Sequence, residues 1–114
     1  MDPVATNPRF YRVVFENEAV RVLEYSDRPG ERTVPHRHPD SVLVSLSSFS
    51  RRLIEGDQRR DVEMQAGTVS WLPAQEHAGE NTGTTPTHVV LVELKDSTIT
   101  LIRPRTPVLG PEPH

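Results

Sequence analysis

The 114-residue sequence predicts an all-β domain, and three observations carry that reading. Proline is 11 of 114 residues, above average usage, which suits short strands and many turns rather than long helices. Short runs rich in Val, Leu and Ile recur at close intervals between turn residues, the pattern of a sandwich or barrel. No segment keeps helical periodicity for about ten residues, so at most one helical turn is expected.

The elements follow in order. A first strand is expected at 11–15, closed by Asn17-Glu18, and a second at 20–25, followed by the Pro29-Gly30 turn. A third at 33–38 runs into Pro39-Asp40, and a fourth spans 42–46. Strands at 51–55 and 61–64 flank Gly56-Asp57, a hairpin signal. Arg51, Arg52, Arg59 and Arg60 bracket that hairpin and read as solvated charges that guard an edge against aggregation. Ala66-Gly67 introduces a strand at 68–72, where Trp71 is expected in the core or at a dimer interface.

Strand 76–80 then leads through the turn-rich stretch 82–86 to strand 88–94. In that last strand Glu93 and Lys95 share one alternating face, while Val90, Val92 and Leu94 share the other with His88. This assignment puts His88 inside, near a barrel mouth. Residues 99–102 offer one further strand, but the prolines after them are too closely spaced for a central strand, so 96–114 reads as a C-terminal extension. Length bounds the whole, 1–114, to a single domain.

Composition excludes several classes of function. A net charge of −3 and a pI near 5.9 give no general attraction to nucleic acid or anionic membrane. The N-terminus lacks a basic start and an apolar core, and no apolar run approaches the roughly 18 residues of a spanning helix, so a soluble, cytoplasmic chain is expected. There is no cysteine, hence no disulfide, no thiolate nucleophile and no sulfur ligand. Any metal site must be made from His, carboxylate and water. An apolar fraction of 34% makes a lean core, to which a metal, a homodimer interface or both would contribute. Apolar residues on both faces of strand 88–94 point to the dimer.

Chemistry concentrates in two segments. The first, 30–38, reads G-E-R-T-V-P-H-R-H; the second, 67–81, reads G-T-V-S-W-L-P-A-Q-E-H-A-G-E-N. Residues i and i+2 of a strand share a face, so His36 and His38 project together while Arg37 points away. His77 from a distant strand would complete a three-nitrogen site with open positions for water or substrate.

These residues resemble the two sequence motifs of the cupin superfamily, over about 70 residues from Val20 to Leu94. Gly30, His36 and His38 match the first motif, and Gly67, Pro73, His77 and Asn81 match the second with one residue deleted between Pro73 and His77. The resemblance implies a jelly-roll β-barrel. Where the superfamily has a glutamate ligand this chain has Val42 and Leu43, so the likeness is to the three-His variant found in cupins such as the thiol dioxygenases. The stretch N-E-A-V-R-V-L-E-Y, 17–25, is similar to small single-domain cupins of the β-alanine-degradation type.

Three neutral imidazoles would leave a divalent ion's charge uncompensated and favour an anion beside it. Fe, Zn, Ni, Cu and Mn all suit such donors. Because unperturbed His titrates near about 6.5, occupancy is expected to fall below about pH 6. Each ligand ring needs an acceptor for its other nitrogen, and the candidates are Asp40, Gln75 and Asn81. Asp40 is also a candidate carboxylate ligand, or else a turn residue bonding its own backbone. His88 is either a satisfied interior histidine or a further donor or base.

Two functions follow from this reading. One is an oxygenase-like, metal-dependent enzyme for a small organic anion. The other is a non-enzymatic module that holds a small-molecule ligand for sensing or storage, with or without metal.

Overall fold

A computed structural model describes residues 1–95. The expected strand at 99–102, the rest of the extension 96–114 and His114 lie outside the described residues. The elements are a single helical turn, α1 (Pro3–Thr6), and nine strands: β1 (Tyr11–Glu16), β2 (Val20–Asp27), β3 (His36–His38), β4 (Ser41–Ser45), β5 (Phe49–Glu55), β6 (Gln58–Met64), β7 (Val69–Leu72), β8 (Gln75–Asn81) and β9 (Thr87–Leu94). All nine pair antiparallel, in two sheets ordered β1-β2-β9-β4-β7 and β3-β8-β5-β6. The class is all-β and the architecture a jelly roll, as the strand pattern and the resemblance imply.

The helical turn forms because Asp2 caps it. Its carboxylate accepts from the Val4 and Ala5 amides at 3.0 and 3.1 Å, and Pro3 takes the first helical position, where no amide hydrogen is needed. The turn residues also act where expected: Gly30, Gly56 and Gly67 have positive φ, which glycine adopts without steric cost. The strand expected at 33–38 is shorter, 36–38. Its N-terminal half instead bonds across to β8, Thr33 donating its amide to the Gly79 carbonyl at 2.9 Å.

Alternation sorts the side chains of the larger sheet. Leu23, Leu91 and Leu43 form one in-register row facing in, and Phe15, Val22, Val92, Val42 and Trp71 form the neighbouring row facing out. The inward row joins Tyr11, Tyr25, Phe49 and Val89 in the core. Trp71 is not a core residue of this chain: it stands 54% exposed on β7, an edge strand, beside the exposed Val69. Among the described residues no helix is long and apolar enough to cross a membrane.

Leu23 is fully buried at the centre of this lean core. Leu23→Ala should therefore cost about 2–5 kcal/mol of unfolding free energy in urea titrations. A loss below about 1 kcal/mol would place the core elsewhere.

Candidate metal centre

β3 and β8 carry the histidines, and their register sets His36 directly opposite His77 and His38 opposite Gln75. Alternation along β3 buries His36 and His38 and leaves Arg37 exposed. His77, on β8, is partly buried. Ring centroids lie 4.8 Å apart for His36 and His38, 5.0 Å for His36 and His77, and 5.2 Å for His38 and His77. One nitrogen from each ring lies within 4.8 Å of those from the other two.

The other nitrogens have acceptors. His36 Nδ1 lies 2.8 Å from the Val34 carbonyl, which can only accept, so the ring hydrogen is on Nδ1. Asn7 braces that carbonyl, donating to it at 3.2 Å and accepting from the Val34 amide at 2.9 Å. His77 Nδ1 donates to Gln75 Oε1 at 2.7 Å, and Gln75 Nε2 donates to the Pro73 carbonyl at 3.0 Å, which fixes the amide with its oxygen toward the ring. His38 Nδ1 faces Glu93 Oε2 at 3.4 Å. His36 and His77 thus hold their hydrogen on Nδ1 and leave Nε2 as an unprotonated donor, and Glu93 meets the Nδ1 side of His38.

The hydroxyl of Tyr11, from β1, lies 3.2 and 3.3 Å from Nε2 of His36 and His38. Two of the three ring nitrogens thus face one phenolic hydrogen, which can bond fully to only one of them. A divalent cation would satisfy all three, so the donor set fits a metal.

Burial keeps His36 and His77 neutral. It pushes His36 down to about 4, helped by the charges of His38 and Arg51 and opposed by the bond to Val34. It pushes His77 down to about 3, with His38, His36 and Arg51 adding to the effect. The expected loss of occupancy below about pH 6 is therefore revised for these two ligands, since proton competition for them starts lower. Burial likewise raises the Tyr11 phenol above its ordinary value.

Around the site is a cavity of about 90 Å³, with apolar walls from Leu43, Phe49, Leu53, Leu72, Val89 and Leu91. That is room for a few waters or one small ligand. Leu43, at a position where the superfamily carries its glutamate ligand, lines this cavity as an apolar wall.

Several sequence expectations are corrected. Glu93 faces inward, buried, and His88 faces outward, half-exposed, with its Nε2 2.6 Å from Glu24 Oε2. The face of β9 that turns in is Thr87, Val89, Leu91 and Glu93. Glu93 is tolerated there because Arg21, its cross-strand partner, donates to it at 2.9 Å and is itself held by Asp2 at 2.5 Å. Asp40 is an exposed tie: it accepts from the Ala74 amide at 2.8 Å and has no contact with a histidine among the described hydrogen bonds. Asn81 is buried, but it bonds Asp27 at 3.0 Å and the Thr85 carbonyl at 2.9 Å rather than a ring nitrogen. Gln75 is the one of these candidates that meets a histidine.

Arg51 is not a solvated hairpin charge. β5 turns it inward with Phe49 and Leu53, where it pairs with Asp27, donates to Thr87 Oγ1 at 3.2 Å and lies 5.0 Å over the Tyr25 ring. Gly79 makes room for it, since a Cβ there would come 2.4 Å from the guanidinium. Tyr25 donates its hydroxyl to the same Asp27. Sequence reading missed Tyr11 and Glu93. The in-register pair Arg21 and Glu93, like-placed on two strands with apolar neighbours, was the available signal for the second.

Two antiparallel sheets with an inward trio of histidines define a small barrel with a candidate metal site. By fold the chain is a small cupin. A cupin domain from Bordetella pertussis Tohama I is 28% identical, over 75% of this chain and 92% of that one, with a TM-score of 0.70. An RmlC-like cupin family protein with a double-stranded β-helix fold from Methanocaldococcus jannaschii is 14% identical over 80% and 84%, with a TM-score of 0.61. The polyketide cyclase RemF from Streptomyces resistomycificus is 20% identical over 75% and 64%, with a TM-score of 0.58. The last two likenesses are of fold alone. No family model and no curated protein matches the chain.

Two outcomes test this geometry. In the presence of chelator, the unfolded chain protonates its histidines near 6.5 while folded His36 and His77 resist until about 4 and 3. Stability should therefore fall as pH drops from about 6.5 toward 4. Urea midpoints independent of pH over that window would contradict the neutral, buried assignment. Separately, Glu93→Gln should weaken zinc binding roughly 10- to 100-fold in calorimetric titrations, by loosening the hold on His38. Unchanged affinity would remove Glu93 from the centre.

Proposed function

We propose that this protein is a metal-dependent cupin enzyme, oxygenase-like, that acts on a small organic anion at a site held by His36, His38 and His77. The observation that carries the reading is the convergence of three histidine rings, each met at Nδ1 by an oxygen, on a small apolar cavity. Iron, zinc, nickel, copper and manganese all suit the donors, and a bound ion of this group would supply Lewis acidity or redox chemistry at its open positions.

The chain's own residues do the rest. Neutral imidazoles leave the positive charge of the centre in place, which favours an anion beside it. The walls formed by Leu43, Phe49 and Leu72 are apolar, so charge interactions inside are stronger than in solvent. Gln75 and Glu93 keep the His77 and His38 rings oriented, so the donors need no rearrangement before they act.

The test is metal analysis of protein purified without chelator, followed by oxygen uptake with small carboxylic acids and thiols. About one ion per chain is expected, reduced severalfold in His77→Ala, together with turnover of at least one acid or thiol. Absence of metal in the wild type would overturn the proposal. Stoichiometric metal and ligand binding with no turnover would instead establish a non-enzymatic binding module.

A further inference from the structure

Resting on the reading of the three histidines as metal ligands, we infer that Tyr11 is the fourth protein donor to the same ion, through its phenol oxygen. The oxygen lies 3.2 Å from His36 Nε2 and 3.3 Å from His38 Nε2. Those separations are long for a hydroxyl hydrogen bond, which closes to about 2.8 Å, and they are nearly equal, so one hydrogen would be shared weakly between two acceptors. They match something else. With metal–nitrogen bonds of about 2.0–2.1 Å, adjacent donors of a tetrahedral site sit about 3.3 Å apart. Tyr11 therefore stands at the spacing of a vertex relative to two of the three nitrogens.

Packing holds it there. Tyr11 is 6% exposed, its ring is 4.6 Å from that of Tyr25, and it lies 5.4 and 5.8 Å from the His36 and His38 rings. It is placed by β1, an edge strand pinned to β2 with Tyr11 opposite Tyr25. The phenol is thus held among the ligands by an element that contributes nothing else to the centre. When the oxygen–metal bond forms, the O–H bond breaks and its proton passes to the buffer. The bound phenolate also cancels one unit of the ion's charge, which three imidazoles cannot do.

Copper(II) is the probe, because a phenolate ligand gives it a charge-transfer absorption that imidazole does not. One equivalent added to metal-free protein should produce that band, and resonance Raman excitation within it should enhance tyrosinate ring modes. The chain has two tyrosines, Tyr11 and Tyr25. Tyr25→Phe leaves Tyr11 alone and should keep both signatures, whereas Tyr11→Phe should lose them and weaken zinc binding by roughly tenfold or more. Copper bound without the band, a band that survives Tyr11→Phe or vanishes in Tyr25→Phe, or unchanged zinc affinity in Tyr11→Phe would overturn the assignment while leaving the three-His centre standing. Failure of the wild type to bind copper or zinc would remove the centre itself.

Discussion

The pairing of β3 with β8 is the constraint on which the rest depends. Because His36 faces His77 across the ladder and His38 faces Gln75, one register delivers two ligands from one strand, a third from the other and the acceptor that fixes the third. A slip of one residue would turn every one of these side chains to the opposite face. The register is secured beyond the three-residue strand by the bonds that run up the same edge, among them Gly30 amide to Asn81 carbonyl and Thr33 amide to Gly79 carbonyl, both at 2.9 Å.

The interior that results is unusually polar for so small a domain. Among the described residues six hydrophobic side chains are buried, and they share the inside with His36, His38, Asp27, Arg51, Asn81, Thr87 and Glu93. Among the described residues each buried carboxylate and guanidinium has a partner: Arg51 with Asp27, and Glu93 with Arg21. Such pairs add little net stability, because desolvation offsets their attraction, but breaking one leaves an uncompensated charge and is costly. What they contribute is geometry. One network, Asp27 with Tyr25, Arg51, Asn81 and Thr87, joins both sheets near one part of the cavity; the other, Asp2 with Arg21, Glu93 and His38, ties the N-terminal turn to a ring of the centre.

Much of this was legible in the sequence. Strand positions followed from apolar runs and turn residues, because the chain has few competing helical signals, and the histidine trio followed from i, i+2 alternation together with the superfamily motifs. What failed was the choice of face where both faces of a strand are apolar. In β9 the charge of Glu93 argued for solvent, yet its ion pair with Arg21 lets it sit inside, and the error carried His88 to the wrong side. Arg51 misled for the same reason: a charge beside a hairpin reads as exposed until its partner, 24 residues earlier in sequence, is known. Tyr11 was illegible because its role depends on where β1 lies at the sheet edge, and no local spacing encodes that.

X-ray absorption at the zinc edge of zinc-loaded protein measures the coordination directly. The account predicts a first shell with three imidazole nitrogens at about 2.0–2.1 Å, reduced by one nitrogen in His77→Ala. A shell made of oxygen alone, or one unaffected by that substitution, would show that His36, His38 and His77 converge without gripping a metal.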